Sequence, residues 1–514
     1  MRPPNALSSV HPAGEHFPDG KDTLPIDTFG GRIHVEWDPQ AAVTSMGQLS
    51  FFIDFLKTAD LFDPWIAQCP LAYKSPNAPK VRDILGTTFL SILSGHNRYA
   101  HITSIRSDNV NPALLGMSKV ASEDSVRRAF QNIDEEACAQ WQQAHLLRSF
   151  EPLLYEPWIL DIDTTVKPLY GHQEGAKVGY NPAKPGRPSH AFHSYFIANL
   201  RLVLDVEIQP GNQTASSFSR PGLFRFLDAL PPAARPAFIR GDIAFGNEGT
   251  MAEAEARGID YLFKLRQTKK VRDLVEQSFA RSDWSCAGQG WQGLEESLRL
   301  AGWSRPRRVI LLRRELKEPL VLEQKSQDGQ LEFGFVEDLP RVRSYEYAVL
   351  VTSMGGEALT MAHHYRDRAD AENPFDELKN QWGWSGFTTR DLKRCQIMAR
   401  HTALIYNWWS LFARLAIADR HAEALTSRPL LLTSVGKQTS HSGQRRLTIT
   451  SAHGKIEPIR RALVRLTKFL RFVRSNAEQL GWAERWRMIL SRVFVQFLRG
   501  RPLTEPPRAL AMGK

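Results

Sequence analysis

The sequence predicts a mixed α/β fold, one sheet covered by helices, set between a helical N-terminal region and a helical C-terminal tail. Three observations carry this. From about Gly47 to Arg148 apolar residues recur at helical spacing, as in MGQLSFFIDFLKTADLF, VRDILGTTFLSILSGH and SEDSVRRAFQNIDEEAC. Past Pro157 three short apolar segments, WILDIDTTV, SYFIANL and RLVLDVEIQ, follow closely enough to form an antiparallel meander. Helix and strand patterns then alternate, as in a single sheet covered by helices.

Composition sets the limits. A chain of 514 residues exceeds one ordinary domain, and roughly three or four are expected. With 42% hydrophobic and 24% charged residues, the chain can build real cores and is not a disordered one. A formal net charge of +11 favours a polyanionic partner, nucleic acid first and a membrane surface second. Cys69, Cys138, Cys286 and Cys395 stand apart with no CxxC pair, which argues against a zinc site or a disulfide framework and fits a reducing cytoplasm. The polar, proline-rich N-terminus has no apolar signal-peptide core. The most apolar helix pattern, Ala399–Ala418, carries Arg400, His401 and Arg414, so it reads as a buried helix and not a membrane span.

In chain order, residues 1–40 are expected to be a flexible lead-in and 41–150 a helical DNA-binding domain. Within the latter Ser122 is a candidate N-cap, and Arg127 and Arg128 suit a helix that reads DNA, although solvated charges on an ordinary helix fit equally well. Residues 151–266 hold the meander, then the helix SSFSRPGLFRFLDAL, the strand PAFIRGD, the helix EGTMAEAEARG and the strand IDYLFKLR. Residues 267–344 interrupt the alternation as a mostly β insertion with Trp284, Trp291, Trp303 and the strands RRVILLRRE, PLVLEQ and QLEFGFVE. In residues 345–425 the strand YEYAVLVTS leads into a long helical stretch through Lys379. The last part, 426–514, opens with a linker (LTSVGKQTSHSGQRRLT) and ends in the basic helical tail Ile456–Arg501, where eleven Lys and Arg face three Glu. That imbalance suits contacts with DNA phosphates.

Three acids attract attention. Asp163 ends the first strand, with Asp161 two residues earlier on the same face. Acids inside so apolar a strand are costly unless paired or bound to a metal. Asp242 ends the strand PAFIRGD; a strand-end Asp can also be a helix cap. In YRDRADAENPFDELK, Tyr365, Arg368, Glu372 and Lys379 fall within a helical stripe about 60° wide. Solvated ladders share such spacings, yet a carboxylate flanked by a phenol, a guanidinium and an ammonium suits phosphodiester chemistry better. Two-metal enzymes of that kind need carboxylates converging from different elements.

Tyr-x2-Arg-x3-Glu-x6-Lys resembles the YREK signature of DDE transposases of bacterial insertion sequences, the insertion-sequence-1380-like group among them. The resemblance spans about Trp158 to Lys379, with DTT beginning at Asp163 and RGD ending at Asp242. It implies an RNase H-like catalytic core with a β insertion, and cut-and-paste transposition by strand cleavage and 3′-OH strand transfer. By the same resemblance Asp163, Asp242 and Glu372 are the catalytic residues and ligate two Mg²⁺ ions, with Mn²⁺ able to substitute. Tyr365, Arg368 and Lys379 would contact transposon-end phosphates. Trp303, Trp291 or Trp284 would stack on a flipped base, a core role being equally open for each. The implied partners are double-stranded DNA, both terminal inverted repeats and target, and a second copy of the chain on paired ends. No membrane partner is expected, and the place of action is the bacterial cytoplasm at the nucleoid. A nuclease on the same core without strand transfer, and a retired DNA-binding descendant, are the alternatives. Asp161 competes with Asp163 for the first ligand position, and the DTT run favours Asp163. Pro374 is predicted to kink or restart the helix after Glu372, which would move Lys379 off the common face.

Overall fold

The computed structural model describes residues 24–73, 75–316, 345–384, 386–417, 420–450, 455–476 and 479–505, with 369–373 described by backbone only. Its centre is a ten-stranded sheet: β1 (Ile159–Pro168), β2 (Lys177–Val178), β3 (Pro188–Ile197), β4 (Leu202–Pro210), β5 (Phe238–Gly241), β6 (Asp260–Lys264), β7 (Ser285–Gly288), β8 (Trp291–Leu298), β9 (Arg307–Glu315) and β10 (Tyr345–Thr352). The spatial order is β7-β8-β9-β10-β6-β5-β1-β3-β2, with β4 also paired to β3. β1, β3 and β4 form the expected antiparallel meander, while β5 runs parallel to β1 and β6 parallel to β5.

The expected insertion takes a different form. Instead of a separate β unit, β7, β8 and β9 continue the central sheet, because β10 pairs antiparallel with both β9 and β6. The consecutive apolar residues Val309, Ile310, Leu311 and Leu312 of β9 and Val349, Leu350 and Val351 of β10 bury both faces, so the strands cannot stand alone. PLVLEQ and QLEFGFVE lie outside the described residues.

The helices are α1 (Leu49–Thr58), α2 (Phe62–Ala67), α3 (Val81–Leu93), α4 (Asn111–Leu114), α5 (Glu123–Asn132), α6 (Glu135–Phe150), α7 (Ser216–Ala229), α8 (Glu248–Ala256), α9 (Lys269–Gln277), α10 (Ala358–Arg366), α11 (Arg368–Gln381), α12 (Leu392–Ile417), α13 (Ala424–Leu431), α14 (Ile456–Ser475) and α15 (Trp482–Val493). α7 and α8 occupy the two predicted crossovers, and Ser122 does cap α5 by accepting the amide of Ser125. α12 is buried around nearly its whole circumference, as its sequence suggests. It packs against α1, α3, α5, α6, α14 and α15, so residues from both ends of the chain share one hydrophobic core with it. No helix among the described residues is long and apolar enough to cross a membrane.

Two segments expected to lack structure carry hairpins. Leu24–Thr28 pairs with Gly31–Val35, and Gly436–His441 pairs with Gln444–Ile449. The second hairpin also holds Val43–Thr44, so the predicted linker is tied to the N-terminal region. Its turn, Ser442-Gly443, takes two positive φ angles, the geometry of a tight hairpin that the polar composition concealed. In the tail, α14 buries Ile459, Leu463, Leu466 and Leu470 while Arg460, Arg461, Arg465, Lys468 and Arg471 face outward.

Buried imidazoles make this core sensitive to acid. His401 of α12 is enclosed by the rings of Trp65, Phe130 and Trp141 at 5.3, 5.3 and 5.6 Å, and burial pushes its pKa down to about 3. Burial likewise holds His145 and His193 at about 4. Each stays neutral in the fold yet takes up a proton in the unfolded chain below about pH 6.5. The unfolded state therefore binds more protons as pH falls, and stability is lost from about pH 6.5 down to 4. At pH 5 each such group costs roughly 2 kcal/mol. Thermal unfolding followed across this range is expected to show Tm falling, with His401→Phe flattening the slope. An unchanged slope in that variant would refute the assignment.

Candidate active site

The site forms where β5 ends beside the middle of β1; contrary to the expectation, Asp163 does not end its strand, because β1 stays paired with β3 through Pro168. Their parallel register pairs Asp161 with Arg240 and Ile162 with Gly241, so Asp163 and Asp242 are the next pair along. Gly241 permits this turn: a Cβ there would stand 3.0 Å from Ile162 Cγ1 and 3.1 Å from Phe245 Cβ. Past it, Asp242 Oδ1 accepts the amide of Ala244 at 2.9 Å, which fixes the carboxylate's direction. Asn247, and not Asp242, caps α8.

The two acids of β1 have separate partners. Asp161 is buried and receives both arms of Arg240, at 2.6 and 2.8 Å. Asp163 is half-buried and accepts from Arg368 Nη2 at 3.2 Å. Arg368 is itself buried, which opposes its charge. The carboxylates of Asp163, Asp161 and Asp242, together with the Tyr365 phenol, outweigh that and raise its pKa above the usual value. One guanidinium thus feels all three aspartates.

Tyr365 and Arg368 lie on different helices, contrary to the single stripe expected. The helix breaks at Asp367, and α11 then runs through Pro374 without a restart. Arg240 accounts for the break. Its Nη1 donates to the carbonyl of His364, the acceptor that the Arg368 amide would use in an unbroken helix. Lys379 therefore shares α11 with Arg368. Glu372 is on the α11 backbone one turn past Arg368, and its side chain lies outside the described residues. Farther along, the buried Glu377 accepts from Trp382 Nε1 at 3.0 Å, His421 Nε2 at 2.6 Å and the Ala424 amide at 2.9 Å, anchoring α11 to α13.

The other candidates are scattered. Arg127 faces Asp124 at 3.3 Å and Glu123 at 3.6 Å and covers the Tyr99 ring at 5.3 Å, whereas Arg128 is exposed. Trp303 is buried, with Arg307 at 5.3 Å from its ring centroid. Trp284 and Trp291 are half-buried, under Arg313 at 4.0 Å and Arg314 at 4.9 Å. Arg240 was missed by sequence reasoning. Its signal was an arginine within an otherwise apolar strand, beside an acid that drew the attention.

Among the described residues no group of three or more His, Cys, Asp or Glu is placed to hold a metal ion. Two carboxylates on neighbouring strands, Asp163 and Asp242, still fit a hard cation such as Mg²⁺, which takes oxygen ligands and keeps several waters.

Comparison with known proteins identifies a family. The model for the transposase DDE domain, group 1, matches residues 66–470. No curated protein matches the chain. A cryo-EM structure of the piggyBac transposase synaptic complex with hairpin DNA is similar at a TM-score of 0.36 and 11% identity, over 91% of this chain and 89% of that one. With the family model covering most of its length, the chain belongs to the DDE transposase family, group 1.

Proposed function

We propose that this protein excises an insertion sequence of the YREK type and joins it to new DNA, working as a homodimer on paired terminal inverted repeats. The observation that carries the reading is the adjacency of Asp163, inside β1, and Asp242, just past the end of the parallel β5, beside the buried Arg368. An RNase H-like core is supported by the strand order β4-β3-β1-β5-β6, the first three antiparallel and the last two parallel to β1.

In this reading Asp163, Asp242 and Glu372 would hold two Mg²⁺ ions, with Mn²⁺ able to substitute, and the ions would supply Lewis acidity for phosphodiester cleavage. Arg368, already 3.2 Å from Asp163, is placed to grip a phosphate brought to that carboxylate, and its planar fork suits the task. Lys379 and Tyr365 add contacts to the same backbone. The outward cations of α14 track phosphates farther along the duplex, and the N-terminal helices with Arg127 and Arg128 read the repeat. Action at the bacterial nucleoid follows from the substrate.

The test is a marker placed between the DNA ends that flank the gene. Wild type with Mg²⁺ is expected to excise the marker and insert it elsewhere, and chelation to stop both. Cutting without joining would leave a nuclease, and binding without either would leave a retired DNA-binding protein.

A further inference from the structure

Between Glu423 and Glu457 the chain has no aspartate or glutamate, and Lys437, Arg445 and Arg446 all fall in the hairpin of Gly436–His441 with Gln444–Ile449. Among the described residues none of these three side chains has an ion pair or hydrogen-bond partner. The other exposed hairpin differs, since its Arg32 is held by Asp27 at 2.8 Å.

Pairing sorts the side chains onto two faces. Gln438 opposite Leu447 and Gly436 opposite Ile449 make the inner face, where Leu447 and Ile449 are half-buried. Lys437 opposite Thr448, Thr439 opposite Arg446 and His441 opposite Gln444 make the outer one, and all six are exposed. The base of the ribbon is anchored: Gly436 and Lys437 pair with Thr44 and Val43, and the Gln438 amide donates to the Ala42 carbonyl at 2.8 Å. Past Gln438 it runs free for about 10 Å at ~3.4 Å per residue, to the turn closed by the positive φ of Ser442 and Gly443. The major groove of B-DNA, about 12 Å wide and about 8.5 Å deep, admits a two-stranded ribbon of this reach.

The ribbon is mounted on the helix that carries Glu372. The first amides of α13, those of Ala424 and Leu425, are accepted by Glu377 and Gln381 of α11, both at 2.9 Å. Arg428 of α13 donates in return to the Gln381 carbonyl at 2.7 Å. From Glu372 along α11 and α13 to Gly436 the contour is at most about 45 Å, or about 13 base pairs, at ~1.5 Å per helical and ~3.4 Å per extended residue.

We propose that the hairpin Gly436–Ile449 enters the major groove of the terminal repeat and reads base edges there through Arg446 and Gln444. Arg446 fits the paired acceptors of a guanine, and Gln444 the acceptor and donor of an adenine. Lys437 and Arg445, on opposite faces of the ribbon, meet the phosphates that border the groove. Sequence is thereby read at a set distance from the carboxylates. The proposal rests on the reading of the protein as an enzyme that cuts DNA, and it adds a reader to the N-terminal helices.

Equilibrium binding of the full chain tests it, on a duplex with the DNA end that flanks the gene and on a scrambled duplex of equal length. Methylation of guanine N7 by dimethyl sulfate reports what occupies the major groove. Wild type is expected to prefer the end and to protect guanines within about 13 base pairs of the cleaved bond. Gln444→Ala, which changes no charge, and Arg446→Ala are each expected to lower that preference about fivefold or more, the lower bound for a lost bidentate contact. Arg446→Ala should also unmask a protected guanine, while Lys437→Ala weakens both duplexes alike. Equal losses on both duplexes in Gln444→Ala and Arg446→Ala, or preference and protection unchanged in both, would overturn the ribbon proposal and leave the cutting reaction standing. Binding to phosphatidylglycerol vesicles that Arg446→Ala abolishes, with DNA preference intact, would overturn it in favour of a membrane surface. Failure of wild type to bind either duplex would overturn both readings.

Discussion

Each of Asp163→Asn, Asp242→Asn and Glu372→Gln is expected to lower cleavage of the element's end by at least about 10³-fold, some 4 kcal/mol of lost barrier reduction. The protein should stay folded, because Asp163 and Asp242 are half-exposed and neither caps a helix. Asp161 supplies the contrast. It stands on the same face two residues away, yet its oxygens are committed to Arg240. Asp161→Asn is therefore expected to lower Tm, while Asp163→Asn leaves Tm nearly unchanged and removes cutting. Measured single-turnover cleavage beside thermal unfolding separates the two. Comparable cleavage in Asp163→Asn and wild type would reject Asp163 as a ligand.

Arg240→Ala is the change with the largest expected effect on stability, about 3–5 kcal/mol, the usual result of removing one partner from a buried pair. Asp161 would be left charged and enclosed, and the His364 carbonyl would lose its donor. α10 could then extend through Asp367 into α11, turning Tyr365 and Arg368 away from their present relation. Replacing both charges with apolar residues, Asp161→Leu with Arg240→Met, is expected to recover most of the loss in urea unfolding, since a buried pair is worth little against good packing. Cleavage should not recover with it, because the His364 contact stays absent. A double variant as unstable as the single one would show that the pair itself is not what Arg240 contributes.

The meander, both crossovers and the place of Asp242 at the end of its strand were legible because they follow from local patterns: period-two burial, caps and short turns. The continuation of β1 past Asp163 to Pro168 was not, since it depends on pairing with β3. The break between α10 and α11 was not. It depends on Arg240, distant in sequence, reaching a backbone carbonyl, and Pro374 offered a plainer but mistaken reason for a break. The joining of β7–β9 to the central sheet was hidden for a related reason. Strand patterns reveal that a segment pairs, not with which partner, and β10 lies far along the chain from β6. Trp303 and Trp291 read alike in sequence, and packing buries the first while leaving the second half-buried.

The all-round burial of α12 has a consequence for how the chain is made. α1, α3, α5 and α6 leave the ribosome long before Leu392, so their apolar faces wait for a helix that does not yet exist. Contact order of this kind slows folding and lengthens exposure to aggregation. A chain that stops before α12 would retain Asp163, Asp242 and Glu372 but lack the shaft around which both ends assemble. A chain truncated in this way is expected to be cleared as misfolded protein and not to compete with the full chain for DNA.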